Sequence, residues 1–500
     1  MGGTTRLIRS ASPPTEPATD AWCCRSPNGT TIVTRLVILL LPVLGFIVSD
    51  PALGEPPLGF RTDGTGRYAV AAPPLEWAKD KNVVWHIELK QSNAIPVILG
   101  NRLFTCAEPC VLLCVNKQDG KTLWQHESSW KEITPTEKEK DLIEGERKQD
   151  DELKKEQSNL EKEISALRKA IREDPTTKAN NEAKIEPLQA QFNKTRARRQ
   201  TFATLNRYRE PGKDAGGYHP TGGYSSATPV TDGKHVYVLF GNGLAACYDL
   251  EGKRQWLKLI EHPTAAYGHG ASPVLVGDKL LVHFSDLVAL NTKDGCEEWR
   301  VKIPPNHGTA MHTRFGDVDV IIHPQGQVIR VSDGTILAEN LGSTGPNSPL
   351  VQDGKVFFVQ GQVRGYALPT TEKIPEKWEP LWKPRSIKGQ GYWFPSPVLH
   401  DGLLYAMSSK PILSVVDART GGLVYEQDLE LGAGDCYPSI SLAGDQLYVS
   451  SDNGTTVVLK PGREFEELAR NKLEPFRSSL VFEGKRMYVR TTKGLWCVGE

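Results

Sequence analysis

The chain has 500 residues, and its 60 lysine and arginine residues balance its 60 aspartate and glutamate residues. This length is enough for two or three domains or for one large repeat architecture, and the zero net charge argues against a nucleic-acid or membrane-surface partner. The 46 glycines and 35 prolines stand mostly between short apolar runs, as in an all-β chain rich in turns.

An uninterrupted apolar run, Leu36 to Val48, follows Arg35. It is short for a membrane-spanning helix but has the length of the apolar region of a secretory signal. Small residues at 52–54 suit cleavage, so residues 1–54 are predicted to be an N-terminal extension with a signal or anchor segment. The stretch before Leu36 is long for a signal, which leaves open a start site downstream, an uncleaved anchor or a buried core helix. Residues 55–81, rich in Pro, Gly and Ala, are predicted to be an extended linker.

The stretch from Ser226 to Trp256 has the pattern of four short strands, and Asp-Gly and Asn-Gly pairs between them favour tight hairpin turns. A single four-stranded meander has too little core to be stable alone, so further copies are expected. Eight such units occur at a spacing typical of propeller blades. Their first strands open at Pro96, Pro229, Pro273, His312, Pro349, Pro397, Ile440 and Leu480.

The eighth unit ends at Glu500 without a fourth strand, whereas residues 82–89 form an unassigned strand before the first unit. We predict that this strand, which carries Trp85, completes the last sheet and closes the ring. Aromatic residues late in each unit, such as Trp124 and Trp299, are expected to wedge between neighbouring sheets. The predicted fold is therefore all-β: an eight-bladed β-propeller of four-stranded antiparallel blades over residues 82–500.

One insertion, residues 131–215, interrupts the repeats between the first two units. Its apolar residues recur at the spacing of a coiled-coil seam, and Asp174-Pro175 breaks the pattern once. These features predict an antiparallel α-helical coiled-coil hairpin, and a disordered charged linker is the alternative. The hairpin leaves a loop on the face of the predicted channel mouth, so the two are expected to share one face. The seam residues of the first helix are Leu153, Leu160, Ile164, Leu167 and Ile171.

Nine cysteines are present, and the seven beyond Cys24 are spaced irregularly, which is not a disulfide framework. Cys106 and Cys110 flank a short turn, so a cross-strand bridge between them is a possible exception. No set of cysteines and histidines has the spacing of a metal site.

The repeat ends, such as LVALNTKDGCEEW with its Asn, Asp-Gly and final Trp, resemble the pyrroloquinoline-quinone (PQQ) repeat. The chain is similar to bacterial exported PQQ-like β-propellers, including BamB-like scaffolds of outer-membrane assembly. The resemblance implies an exported protein of the periplasm or cell envelope. It also implies the fold more strongly than an activity, because propellers carry many unrelated functions.

PQQ-dependent dehydrogenases place a vicinal disulfide over the quinone and hold calcium with a Glu, an Asn and an Asp. The only adjacent cysteines here, Cys23 and Cys24, precede the signal, and no matching calcium triad or haem-attachment motif is found. We therefore expect no cofactor, no metal and no catalytic residues. A PQQ- and calcium-dependent oxidoreductase, or another enzyme acting at the channel mouth, is the alternative.

Residues just before each first strand are expected to line the mouth of the central channel. Aromatic and imidazole groups that converge there can bind a ligand, or they can simply fill the channel. The candidate binding residues are Tyr267, His269, His307, His312, Tyr392, Trp393, Tyr437 and Arg477. The sequence thus predicts a non-catalytic scaffold that binds protein partners of the envelope, with self-association through the helical arm as a further possibility.

Overall fold

The computed structural model describes residues 57–208, 223–261 and 268–500. The predicted signal or anchor segment lies outside these ranges. Within them, no helix is both long and apolar enough to cross a membrane.

The described residues are mostly β. In chain order the first strands are β1 (Arg67–Tyr68), β2 (Val83–Glu88), β3 (Val97–Leu99), β4 (Arg102–Ala107), β5 (Val111–Asn116), β6 (Thr122–Glu127), β7 (Val230–Thr231), β8 (His235–Leu239), β9 (Leu244–Asp249), β10 (Arg254–Leu259), β11 (Val274–Val276), β12 (Lys279–His283), β13 (Leu287–Asn291), β14 (Glu297–Val301), β15 (Met311–Phe315) and β16 (Val318–Ile322). The remaining strands are β17 (Val328–Arg330), β18 (Ile336–Ala338), β19 (Leu350–Gln352), β20 (Lys355–Val359), β21 (Gln362–Ala367), β22 (Arg385–Ser386), β23 (Val398–His400), β24 (Leu403–Met407), β25 (Ile412–Asp417), β26 (Leu423–Asp428), β27 (Ser441–Ala443), β28 (Gln446–Ser450), β29 (Thr455–Leu459), β30 (Glu467–Lys472), β31 (Val481–Glu483), β32 (Arg486–Arg490) and β33 (Gly494–Gly499).

These strands form antiparallel meanders like those of a propeller. Sheets 1 to 6 each contain four consecutive strands, from β3–β6 to β23–β26. Sheet 7 contains β27–β30, and its fifth strand, β1, runs parallel to β27. Sheet 8 contains β31–β33 and is completed by β2, which pairs antiparallel with β33 and so takes the place predicted for residues 82–89.

Neighbouring sheets are joined by apolar side chains. Tyr237 and Trp256 of sheet 2, for example, share a buried cluster with Leu280 of sheet 3. Sheet 8 packs in the same way on sheet 1, where Tyr488 meets Leu103. Because apolar side chains of each sheet are buried against the next one, the sheets stabilise one another.

Indole rings reinforce these junctions, as the late aromatic positions predicted. Five tryptophans on or beside fourth strands donate an Nε1–H hydrogen bond of 2.9–3.1 Å to a carbonyl oxygen of the following sheet. The pairs are Trp85 with Lys117, Trp124 with Leu250, Trp256 with Thr292, Trp299 with Val331 and Trp382 with Ala418.

The insertion forms a helical hairpin of α1 (Glu137–Glu173) and α2 (Lys178–Gln200), followed by the short α3 (Ala203–Arg207). Thr136 and Glu139 form a capping box at the start of α1. With 37 residues, α1 spans about 55 Å. Two of its predicted seam residues are buried, Leu160 and Ile164. The buried Asp150 carboxylate accepts a hydrogen bond of 2.7 Å from Arg199 of α2.

One part of the chain differs from the expectation, and one alternative for the cysteines is not realised. The segment from Pro57 to Lys81 is not a free linker, because Arg61, Tyr68 and Trp77 are buried in the fold and β1 joins sheet 7. The structure shows no disulfide between Cys106 and Cys110. Cys106 stands opposite Leu112 in the β4–β5 ladder, which leaves Cys110 in the turn beyond the paired strands.

Candidate functional site

A cavity of about 570 Å³ lies where the chain enters the first strands of most sheets. The first strands of sheets 2 to 6 contact one another in sequence, so the loops before them converge on common space. The residues that line this cavity are Phe60, Asn93, Ile95, Gly223, Ser226, Thr228, Gly268, His269, Gly270, Ser272, Pro305, Asn306, His307, Gly308, Gly345, Pro346, Ser348, Tyr392, Phe394, Ser396, Tyr437, Ser439, Arg477, Ser478 and Ser479.

A chain of hydrogen bonds joins all eight sheets around this cavity. In each step a backbone N–H just before one first strand donates to the hydroxyl oxygen at the equivalent position of the next sheet, over 2.8–3.1 Å. The order along this chain is Ile95, Thr228, Ser272, Thr309, Ser348, Ser396, Ser439 and Ser479. Only Ile95, in sheet 1, lacks a hydroxyl group.

Stacked rings form one wall. The ring centroids of Tyr392 and Phe394 are 5.4 Å apart, and those of Phe394 and Tyr437 are 4.1 Å apart at an interplanar angle of 15°. The guanidinium carbon of Arg477 lies 3.8 Å from the Tyr437 ring centroid, which is a cation–π contact. Arg477 also donates to the Asp452 carboxylate over 3.3 Å, so its charge is partly compensated.

Two histidines lie on another side of the cavity. The His269 ring packs edge-on against Phe284 at 4.8 Å, and its burial lowers the pKa to about 4. His269 is therefore neutral at pH 7. Its Nε2 atom is buried and has no hydrogen-bond partner among the described residues. His307 lies beside Gly270.

The N-terminal segment closes the cavity from below. Leu58 pairs with Thr231 of β7, the chain turns back between Gly59 and Thr62, and β1 then runs along β27. At the turn, Phe60 lines the cavity. Arg61, 1% exposed, donates hydrogen bonds to the carbonyl oxygens of Pro397 and Ile440 at 3.0 and 2.7 Å. The space between the first strands is thus filled by a folded loop, and the cavity is a cup with a floor.

The helical arm begins at the same end of sheet 2 as the cup. The Trp130 indole, just before the arm, donates to the carbonyl oxygen of Asn242 at 2.8 Å, in the β8–β9 turn. Gly241 of that turn donates its N–H to Tyr224 at 2.7 Å, next to the cup residue Gly223. In an antiparallel sheet the β8–β9 turn and the entry to β7 lie at the same end, so the root of the arm adjoins the cup.

Five of the predicted residues line the cup: His269, His307, Tyr392, Tyr437 and Arg477. Two do not. His312 lies within β15, and its Nε2 is 2.8 Å from the carboxylate of Asp319 in β16. The hydroxyl chain shows that this unit opens at Ala310, two residues before the predicted position. Trp393 is buried in the core between sheets 5 and 6, because it alternates with Tyr392 and Phe394, which face the cup. Tyr267 lies outside the described residues.

Sequence reasoning missed Phe394, Phe60 and the hydroxyl groups. The hydroxyls had a readable signal, because Ser-Pro pairs recur before the first strands of sheets 3, 5 and 6. Phe394 could have been found from the alternation of neighbouring side chains. Phe60 had no signal, because its segment reads as a linker.

The described lining of the cup does not fit a calcium ion. Among the lining residues that the structure describes there is no aspartate or glutamate, and calcium needs several oxygen ligands, usually carboxylates. No cluster of three potential metal ligands occurs elsewhere in the described ranges. The cup residues can instead stack on flat or ring-shaped groups and donate hydrogen bonds.

Comparison with known proteins shows similarity to BamB. A family model described as outer membrane protein assembly factor BamB matches residues 218–345. The chain is also 26% identical over 206 residues to the outer membrane protein assembly factor BamB of Legionella pneumophila. That match covers 38% of this chain and 51% of the relative, so the chain spans about half the length of the curated relative it matches. The solved structure of BamB from Moraxella catarrhalis superposes with a TM-score of 0.50 at 12% identity, over 83% of this chain and 96% of that one.

In repeats and in fold, the chain is similar to PQQ-like β-propeller proteins.

A second solved structure, an enzyme, has a similar fold. The quinohemoprotein alcohol dehydrogenase from Comamonas testosteroni matches this PQQ-like propeller with a TM-score of 0.52 at 9% identity. The match covers 85% of this chain and 78% of that one. At these identities both superpositions show the shared fold alone.

Proposed function

We propose that this PQQ-like propeller is a non-catalytic binding and assembly scaffold of the bacterial cell envelope. It recognises protein partners through the face that carries the cup and the root of the helical arm. The observation that carries this proposal is the continuous contact from Trp130 through the β8–β9 turn to the cup. A long rigid arm beside a preformed recess offers a partner two contact regions without a large ordering cost.

Several features support a scaffold over an enzyme. The curated relative is named an assembly factor, and the described cup residues include no carboxylate for the calcium ion of the dehydrogenase alternative. The same relative's name favours an exported protein of the envelope. A membrane contact would come only from the N-terminal apolar segment, if that segment is uncleaved.

We also infer that the eight sheets form one closed, eight-bladed propeller and that the arm is a coiled coil. The hydroxyl chain runs through all eight sheets in order, and sheet 8 packs on sheet 1. In the arm, the buried Leu160 and Ile164 lie at seam positions. The arm can also mediate self-association, which light scattering of the full chain would detect.

Photo-crosslinking in envelope preparations tests the partner-binding face. A photoreactive residue replaces Tyr392 at the cup rim, Leu142 on the arm, or Val70 as the control, with exposures of 65%, 50% and 92%. Val70 follows β1 beside the β27–β28 turn, at the opposite end of sheet 7 from the cup. We expect protein adducts at Tyr392 and Leu142 but not at Val70. Adducts at Val70 alone would refute the proposed face.

A further inference from the structure

We propose that the cup binds a saccharide, as a mono- or disaccharide unit of a larger glycan. This goes beyond the proposed scaffold function but uses the same cavity. Two features of the wall carry it, the ring of hydroxyl donors and the stack of aromatic rings.

The hydroxyl chain presents hydrogen-bond donors to the cup from many directions. Each cup hydroxyl already accepts one backbone N–H, and none of their O–H groups has a hydrogen-bond acceptor among the described residues. A hydroxyl can accept and donate at once, so these protons remain for a ligand. The cup hydroxyls are those of Thr228, Ser272, Ser348, Ser396, Ser439 and Ser479.

Because these hydroxyls come from sheets 2, 3, 5, 6, 7 and 8, they surround the ligand. A matching ligand must carry acceptor oxygens around its whole perimeter. A sugar ring does so through its hydroxyl and ring oxygens. An extended peptide, by contrast, offers carbonyl oxygens only along its backbone and not around a closed perimeter.

The aromatic wall supplies the second half of sugar recognition. A sugar ring has a C–H face that packs on an aromatic ring, and Tyr392 is 65% exposed at the outer end of the stack. Phe394 and Tyr437 continue this surface into the cup. Because Arg477 is paired with Asp452 and His269 is neutral, the wall favours a neutral ring over a strongly charged one.

The size is suitable as well. A volume of about 570 Å³ lies within the range of roughly 300–1,000 Å³ of small-molecule sites. The floor formed by Phe60 and Arg61 makes the cup blind, so a glycan would enter by its end or by a protruding ring.

Isothermal titration calorimetry and saturation-transfer NMR of the full chain test this proposal. The probes are cellobiose, maltose and N,N′-diacetylchitobiose, with sorbitol as a polyol that has hydroxyls but no ring face. We expect at least one disaccharide to bind with a dissociation constant below about 1 mM and sorbitol to bind at least about tenfold more weakly. If no disaccharide binds, or if sorbitol binds equally well, the proposal is wrong.

Variants locate the site. Phe394→Ala should weaken disaccharide binding about tenfold through lost stacking, and Ser396→Ala about fivefold through one lost hydrogen bond. Ser450→Ala is the matched control, because Ser450 is equally buried and bonds to Thr456 in sheet 7 away from the cup. Circular dichroism checks that all variants are folded. If Ser450→Ala then weakens disaccharide binding as much as Ser396→Ala does, the site lies elsewhere and the proposal is wrong.

The outcome is separable from that of the scaffold proposal. Crosslinks at Tyr392 and Leu142 without disaccharide binding would refute the saccharide alone. Disaccharide binding without protein crosslinks would refute the partner face alone.

Discussion

The indole of Trp124 in sheet 1 lies on Gly252 in the β9–β10 turn of sheet 2. A Cβ atom added to Gly252 would stand 2.7 Å from Trp124 Cδ2. The Trp124 Nε1–H donates to Leu250 of the same turn at 2.9 Å. A glycine is therefore needed at this position for two reasons: the backbone has φ +89, and the indole of the preceding sheet approaches closely.

Gly252→Ala should reduce the free energy of unfolding by about 1–3 kcal/mol more than Gly233→Ala. Gly233 is the matched control, because its φ is +84 but a Cβ there would meet nothing within 4 Å. Both changes strain the backbone similarly, so the difference isolates the clash with Trp124. Urea denaturation measures it, and equal effects would show that the indole contact contributes little.

Trp85→Ala tests closure of the ring between sheets 8 and 1. Its indole is 9% exposed and donates to Lys117 at 3.0 Å, so its loss should cost about 3–5 kcal/mol of unfolding free energy. Leu423→Ala, a 41% exposed strand position, is the control. Thermal or urea unfolding unchanged by Trp85→Ala would argue against a closed ring.

Arg61→Ala should cost several kcal/mol, about 3–5. The buried guanidinium satisfies the carbonyl oxygens of Pro397 and Ile440 from two different sheets, and its removal leaves both buried and unpaired. Lys81→Ala, an exposed position in the same N-terminal segment, should change stability little. An Arg61 variant as stable as the Lys81 variant would mean that the segment is not part of the folded core.

Two buried histidines, His283 and His323, form a chain of hydrogen bonds behind the cup in which every donor points the same way. His283 Nε2 must donate to the carbonyl oxygen of Ile303 at 3.2 Å, so His323 Nε2 donates to His283 Nδ1 at 3.2 Å. The remaining His323 Nδ1 accepts from the Gln325 N–H at 3.3 Å, and the side-chain amide of Gln327 lies 3.1 Å from the same nitrogen. Burial lowers the pKa of His283 below its usual value of 6.5 and lowers that of His323 to about 3.

These shifts predict that acid destabilises the fold. Because both pKa values are depressed in the folded state, the unfolded chain takes up protons first, and stability is lost as the pH falls from 6.5 toward 3. At pH 5 the loss for His323 should be about 2 kcal/mol relative to pH 7.5. His323→Gln should flatten this pH dependence in urea titrations, and an unchanged pH dependence in this variant would contradict the prediction.

Adding PQQ and calcium should produce no quinone absorbance bound to the protein and no dye reduction with alcohols. The physical reason is the lack of carboxylates among the described cup residues. Absorbance after gel filtration and a dye-reduction assay measure the result. A retained quinone band with turnover would favour the oxidoreductase over the scaffold.

The sequence by itself determined the elements, because they depend on local chemistry. Asp-Gly and Asn-Gly turns, short strand patterns and the seam of Leu160 and Ile164 indicated antiparallel meanders and a helical hairpin. The strand that carries Trp85 could be assigned to sheet 8, because the last unit lacked a fourth strand and this strand, near the start of the repeats, had no unit of its own. Five of the eight candidate cup residues followed from their position before a first strand.

Only the tertiary structure decided which side chains meet. Arg61 and Phe60 read as part of a linker, and their burial depends on carbonyls and side chains more than 300 residues away along the chain. His312 was misplaced because the unit at Ala310 has no proline to mark its register. The hydroxyl chain joins residues about 40 positions apart in sequence. Such contacts exist only once neighbouring sheets have packed.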